Sequence, residues 1–446
     1  MLIDFSFSNF RSFEGAQAFS MRREPRFRDV PSDELSRAAA IYGANASGKS
    51  NFLLALKAMR DLVTTSYSGG SATSGIRRQP FRLREGSESE PSSFLMECIA
   101  DDGQRYRYSF SYDDARVLEE ELVFYRLIDG RPSTHSSALF SRDESGAIEF
   151  GPSFKGPRAQ VRKTMDLRPN ALLLSAAAAA GIRCVQPVFR FFSDEMAYCD
   201  AASFLGEQPF VHEQYGKGTS FSKKLTALVR YADFGITDIE AVPVDISREM
   251  PDSLPMQAGK RSGEYAASST ATALKFTHAG TSVSAVFGLG DESRGTIAAM
   301  SFFSLALRQL GKRSVTMIDE IDTSLHPGLV REFVELYADP ATNPHGAQLI
   351  FTTHDVTLID RTGPVSPLSA DQVWLVEKGS LGASELFPVT DVGIRKDENI
   401  GRNYLNGVYG AAPQPSFHAA FARMVSEEAS GDAHDAAGEW AEGEGE

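Results

Sequence analysis

Two stretches of the chain carry residue types suited to phosphoryl chemistry. Residues 43 to 51 read "GANASGKSN", placing Gly43, Gly48, Lys49 and Ser50 at the G-x-x-x-x-G-K-[ST] spacing. The glycines let backbone N–H groups along Ala44, Asn45, Ala46 and Ser47 turn inward on a phosphate, and a helix opening there adds its positive N-terminus. In that geometry Lys49 reaches the β and γ oxygens of ATP, Ser50 binds Mg2+, and Asn51 follows in the first helical turn. The second stretch, "VTMIDEIDTSLHP" at residues 315 to 327, runs an apolar strand straight into Asp319, Glu320 and Asp322. Buried like charges are costly, and a divalent cation removes the difficulty. Asp319 then holds Mg2+ through water opposite Ser50, and Glu320 is free to orient and polarise a water for in-line attack on the γ-phosphoryl group. The two stretches predict an ATPase, a Mg-dependent phosphoanhydride hydrolase.

Two further segments extend the pattern. "QLIFTTHD" is another apolar strand, with His354 at its tip; the carboxyl ends of parallel strands gather ligand contacts, so His354 is read as a γ-phosphate sensor. "ESRGT" at residues 292 to 296 opens a helix whose Ile297, Met300, Phe303, Leu307 and Leu310 share one face. Ser293 and Gly295 at its start form an anion site from unpaired N–H groups and the helix dipole. A chain with one phosphate loop has no second phosphate for this helix, so it is expected to reach a nucleotide held by another copy.

The elements that must position these groups follow an α/β order. "LIDFSFSNF" and "AQAFSM" predict an early hairpin, and "AAAIYG" a strand that gives way, after the phosphate loop, to a helix with Phe52, Leu56, Met59 and Val63 on one face. "SSFLMECIADDGQRYRYSFSYDD" is a strong antiparallel hairpin signal around an Asp-Asp-Gly turn, extended by "RVLEEELVFYRLIDG" into a β-rich lobe. From about residue 155 to 235 Ala- and Leu-rich stretches read as helices, without the sustained heptads of a coiled-coil arm. The stretch "SREMPDSLPMQAGKRSGEYAASSTATA" reads as a polar loop.

Composition sets outer bounds. With 446 residues, 42% of them hydrophobic, the chain can bury a large core or several smaller ones. No run of about 18 apolar residues exists and the start lacks a signal-peptide pattern, so the expectation is cytoplasmic with no membrane partner. Cys98, Cys184 and Cys199 lie far apart, as reduced thiols do, without zinc-site spacing. The net charge of −14 argues less against nucleic acid than its size suggests, because the tail from Ser426 holds eight acids and no Lys or Arg. That tail is expected to be disordered and solubilising.

The joint order "GANASGKSN", "ESRGT", "VTMIDEID", "SLHP", "FTTHD", with "NFRSF" at residues 9 to 13, resembles ABC-type ATPases of the SMC, RecF and OLD group. The resemblance implies a P-loop NTPase fold of ABC-ATPase type, with a mixed central sheet, an antiparallel β lobe and a helical insertion. It implies domain parts at 1–150 (Walker A and β lobe), 151–275 (mainly helical insertion and polar loop), 276–425 (signature, Walker B, switch histidine) and 426–446 (acidic tail). It further implies Walker A at Gly43 to Ser50, a signature motif at Ser293 to Thr296, Walker B at Asp319, catalytic Glu320, a D-loop at Asp322 to Leu325, and His354 as the switch histidine. Arg11 joins the nucleotide contacts, and Gln79 in "RRQPFRL" is the candidate Q-loop residue beside the metal. The implied assembly is a head-to-tail dimer, or a higher oligomer, with ATP sandwiched between Walker A of one copy and the signature of the other.

Two departures refine the resemblance. "ESRGT" replaces the transporter-like LSGGQ, which argues against membrane transport. No DxD follows His354, unlike the TOPRIM domain of OLD nucleases, so the chain is expected to cut nothing itself. "DVGIRKDENIGRNYLNGVYGAAP" is similar to the close of compact AriA-like ATPases of phage-defence and restriction-linked operons, whose effector, such as a TOPRIM-type nuclease, is a separate protein. The alternatives are a RecF- or SMC-like DNA-repair ATPase, with the arginines of "MRREPRFRD" and "IRRQPFRLR" tracking DNA phosphates, or a nucleotide-switched scaffold with negligible turnover.

Overall fold

A computed structural model describes residues 1–28, 34–128, 131–200, 203–232, 235–245, 270–360, 368–395, 398–412 and 417–426. Most of the polar stretch at 247–273 and all of the acidic tail beyond Ser426 lie outside these residues. Along the chain, β1 (Leu2–Ser8) and β2 (Gln17–Ser20) form the early hairpin, and β3 (Ala38–Gly43) leads through a loop into α1 (Lys49–Thr65). Five strands follow: β4 (Ser92–Ile99), β5 (Arg105–Tyr112), β6 (Val117–Ile128), β7 (Arg131–Arg142) and β8 (Ile148–Phe150). The next part holds α2 (Arg158–Leu167), α3 (Leu173–Ala179), α4 (Gln186–Arg190), β9 (Met196–Cys199), α5 (Ser203–Gly216) and α6 (Ser220–Tyr231). Then come β10 (Ile236–Asp245), β11 (Thr270–Ala279), β12 (Ser284–Gly288), α7 (Arg294–Gln309), β13 (Val315–Ile318) and α8 (Pro327–Ala338). The chain continues through β14 (Gln348–Thr352), β15 (Val373–Lys378), β16 (Ser384–Pro388) and α9 (Ile400–Leu405).

Three sheets result, ordered β2-β1-β4-β5-β6-β7-β8, β10-β11-β12 and β16-β15-β3-β14-β13-β9. The first is antiparallel throughout, matching the β lobe read from its hairpins. The third is mixed: β15, β3, β14, β13 and β9 run parallel, and β16 closes one edge antiparallel. Parallel strands of this kind are buried on both faces, and β3 shows it. Ala39 and Ile41 enter a core with Phe5, Phe7, Phe94 and the α1 residues Phe52, Leu56, Met59 and Val63. Ala38, Ala40 and Tyr42 enter a second core with α7, α8 and α9. A third, smaller cluster joins α5, α6, β10 and β11 to Met300 of α7.

One reading needs correction. The stretch read as helices contains β9, an edge strand of the central sheet paired in parallel with β13. Its four residues are too short for periodicity to register. Along α7, the face of Met300, Phe303 and Leu307 packs on the small third cluster, while Phe302, Leu305 and Ala306 enter the second core. The helix is wedged between two bodies, so small residues such as Ala298, Ala299 and Ser304 are buried as deeply as the large ones. The three cysteines are free thiols. Among the described residues no helix is long and apolar enough to cross a membrane.

Candidate nucleotide site

The site is assembled at the carboxyl ends of β3, β14 and β13, the edge at which parallel sheets present ligand contacts. All six residues of β3 are buried, so the following loop starts from a fixed point. Two positions show why glycine is required there. A Cβ on Gly43 would run into the Val376 carbonyl and lie 2.6 Å from Ser47 Oγ. Gly48 has φ +119°, and a Cβ there would come within 2.6 Å of Ser384 Oγ and 2.9 Å of Ser12 Oγ. α1 opens directly at Lys49 with no side-chain cap, so its first N–H groups have no partner within the helix. The buried Lys49 donates to the carbonyls of Gly43 at 2.9 Å and Ala44 at 3.1 Å. Burial lowers the Lys49 pKa, against the opposing pull of Asp319, Glu320 and Asp322. Ser47 Oγ is buried without a partner in the same loop.

The acidic strand end is not adjacent to the loop strand, since β14 lies between β3 and β13. Contact is nevertheless made: Ser50 Oγ donates to Asp319 Oδ1 at 3.1 Å. Thr352, the last residue of β14, ties the pair together. Its hydroxyl donates to Asp319 Oδ1 at 2.6 Å and accepts from the Glu320 N–H at 2.7 Å. Glu320 is exposed and has a left-handed backbone at φ 54°, and its Oε2 accepts from the Thr323 hydroxyl at 3.3 Å. Asp322 Oδ2 accepts from the His354 N–H at 3.3 Å, while its Oδ1 is buried without a partner. Partial desolvation and then the Lys49 ammonium push the His354 pKa down, against Asp322 and Glu320. Tyr42, fully buried, donates to the Asp355 carbonyl at 2.8 Å and so anchors the turn that carries His354.

The donor set fits the implied ligands. Ser50 and Asp319 offer hard oxygens, and Mg2+ in phosphate sites takes one or two protein ligands, the rest coming from phosphate and water. The unpartnered Ser47 hydroxyl and the open first turn of α1 suit phosphate oxygens, whereas the Ser47 N–H donates to the Ala44 carbonyl at 3.2 Å.

Arg11 and Gln79 come together beside this loop. Arg11, at φ 51°, donates its N–H to the Gln79 carbonyl at 2.7 Å and its Nε to Gln79 Oε1 at 2.5 Å. It also reaches Asn51 Oδ1 at 3.3 Å, and Asn51 donates to Ser12 Oγ at 2.8 Å. These residues line a cleft of about 580 Å³ with Arg77, Arg82 and Lys378. Gln79 is thus engaged with Arg11, and no hydrogen bond joins it to Ser50 or Asp319. Ser293 caps α7, accepting from the Thr296 N–H at 3.0 Å. No hydrogen bond among the described residues links residues 292–296 to residues 43–51 of the same chain.

The family model for "AAA domain, putative AbiEii toxin, Type IV TA system" matches residues 38–360, from the first residue of β3 to just past His354. The chain belongs to this family. Three solved structures are similar to this AAA-domain chain. An SMC head bound to the C-terminal winged-helix domain of ScpA gives a TM-score of 0.39 at 13% identity, over 86% of this chain and 96% of that one. A Pyrococcus furiosus Smc head with an extended coiled coil, bound to the C-terminal domain of ScpA, gives 0.37 at 13%, over 87% and 97%. The recombination mediator RecF of the RecFOR pathway gives 0.33 at 12%, over 87% and 98%. No curated protein matches.

Sequence reasoning missed the residues that hold the AAA-domain site in shape. Thr352 was visible only as a hydroxyl ending an apolar strand. Ser384 donates to the Ser47 carbonyl, and its N–H bonds the Ser12 carbonyl at 2.7 Å, pinning the loop from β16. The arginines read as a possible DNA track are largely engaged. Arg22 pairs with Asp4, Arg23 with Asp371, Arg26 with Glu24, Arg78 with Asp114, and Arg84 with Glu14 and Glu90.

Proposed function

We propose that this chain is a Mg-dependent ATPase of ABC type that pairs head to tail through ATP and controls a separate effector in bacterial anti-phage defence. The observation that carries the reading is the chain Ser50–Asp319–Thr352–Glu320, closed within hydrogen-bonding distance beside the Lys49 loop. In this reading Lys49 leaves the Gly43 and Ala44 carbonyls to pair with phosphate, while the loop N–H groups and the α1 N-terminus hold the anion. Bound Mg2+ would neutralise charge developing on the phosphate oxygens. Ser50 and Asp319 would hold it; Glu320, turned outward, orients and polarises the attacking water; His354 stands next to Asp322 to sense the γ-phosphate.

Pairing is supported by α7, whose anion-binding start makes no hydrogen bond to the phosphate loop of its own chain. Effector control and defence rest on the resemblance of the C-terminal stretch and on the family's description as a putative AbiEii toxin of a type IV toxin–antitoxin system. The effector is read as a separate protein of TOPRIM-nuclease kind. The ion pairs of its arginines argue against DNA contact as the primary role, and loss of DNA binding with rising salt would revive it. Two variants test the enzyme: Glu320→Gln is expected to hold an ATP-bound dimer, and Lys49→Ala to abolish nucleotide binding. Wild-type ATP turnover in both purified variants would sink the proposal.

A further inference from the structure

We propose that His278 is a positioning residue that holds the Glu292 carboxylate off the anion-binding end of α7. The inference rests on the reading that this helix end meets a nucleotide held by a second copy.

Glu292 directly precedes the helix cap Ser293 and stands where LSGGQ has an uncharged leucine. A carboxylate in that place threatens the site in two ways. It repels an incoming phosphate, and it can itself accept from the free N–H groups of the first turn, as acidic side chains at helix starts do. In the structure the carboxylate is engaged by a neighbouring imidazole instead. The Glu292 side chain is 5% exposed, and Oε1 lies 2.8 Å from Nε2 of His278.

His278 is well placed to act as this restraint. It sits on β11 in register with Ile236 of β10 and Ala285 of β12, so the backbone beneath it is paired on both sides. Its ring packs edge-on against Phe287, with centroids 5.1 Å apart. The connection from β12 is tightened where the Gly288 N–H donates to Asp291 Oδ2 at 2.9 Å. Ser293 completes its own cap with Thr296, at 3.0 Å to the N–H and 2.9 Å to the hydroxyl. On the other side, a Cβ on Gly295 would lie 3.0 Å from the Ser324 carbonyl, so the first turn is held against the turn after β13. The start of α7 is therefore fixed between two supports, and Glu292, the carboxylate next to the cap, is drawn toward β11.

The distinguishing property is rescue. His278→Ala frees Glu292 to cover the helix end, and ATP-dependent pairing should weaken roughly tenfold, the scale of a strong carboxylate–helix-end interaction. Adding Glu292→Leu removes the obstructing carboxylate, and pairing should return to within about twofold of wild type. A role in packing alone predicts the opposite, since the second substitution would then add damage. The measurement is dimerisation by sedimentation velocity with ATP and Mg2+, all variants in the Glu320→Gln background, with ATP binding to the monomer measured alongside and expected to stay constant. Pairing unchanged in His278→Ala, or as weak in the double variant as in the single, overturns the inference. Absence of ATP-dependent pairing in Glu320→Gln alone overturns the dimer reading beneath it, and the inference with it.

Discussion

Thr352→Val separates the site's geometry from its composition, because no residue with a proposed chemical role is altered. Thr352 is fully buried, and its hydroxyl serves Asp319 Oδ1 at 2.6 Å and the Glu320 N–H at 2.7 Å. Valine keeps the shape and removes both bonds. A hydrogen bond to an ionised carboxylate is worth about 1.5–3 kcal/mol, and a backbone N–H left without its partner costs about 1–3 kcal/mol. Asp319 retains Ser50 at 3.1 Å and Glu320 is exposed to water, so both terms fall toward their lower ends. Their sum is about 2.5 to 4 kcal/mol, to be read from the shift of a urea unfolding midpoint at constant slope. Thr352→Ser keeps the hydroxyl and loses one methyl, about 1 kcal/mol, and serves as the reference. Because Asp319 and Glu320 lose their common tether, ATP turnover should fall on the order of a hundredfold in the valine variant, the scale of a displacement near 1 Å. Serine should keep most of it. Equal stability and equal turnover in the two variants would refute the assignment of Thr352 as the link between Asp319 and Glu320, the proposed metal ligand and water-orienting base.

Two other perturbations follow from the same geometry. Gly48→Ala forces a left-handed backbone on alanine and drives its Cβ toward Ser384 and Ser12, so it should destabilise the chain by about 3 kcal/mol and weaken ATP binding; an unchanged urea midpoint counts against the tight loop. His354 has its pKa lowered from 6.5, first by desolvation and then by Lys49, so the folded chain favours neutral imidazole. Its contribution to stability is therefore present above pH 6.5 and is lost as pH falls from 6.5 through the lowered folded value. NMR titration of the nucleotide-free protein should place the His354 midpoint below 6.5, and a midpoint at or above 6.5 contradicts the argument. Added ATP should raise that midpoint, because a nearby anion favours the imidazolium.

What was legible in the sequence is what local spacing encodes. The glycine-rich loop is a run of adjacent residues at fixed spacing, and its strand and helix contexts follow from short periodic patterns. The supports of the loop are long-range pairs and leave no such trace: Ser384 reaches Ser47 across 337 positions, and Thr352 reaches Asp319 across 33. Periodicity also reads only one side of an element. It found the Met300 face of α7, which packs a minor cluster, and passed over the Phe302 and Leu305 face that enters a main core.

The three carboxylates after β13 show the same division between spacing and contact. Their proximity in sequence implies strong mutual repulsion, yet each is given a different direction by the backbone around it. Asp319 continues the strand line and is met by two hydroxyls, from Ser50 and Thr352. Glu320 leaves that line through its left-handed φ of 54° and faces solvent. Asp322, one turn on, receives the N–H of His354. The charge cluster is therefore divided by a single strained residue and a neighbouring strand end. Substitutions that relax Glu320's backbone are accordingly expected to raise the electrostatic cost of the site even where every charge is retained.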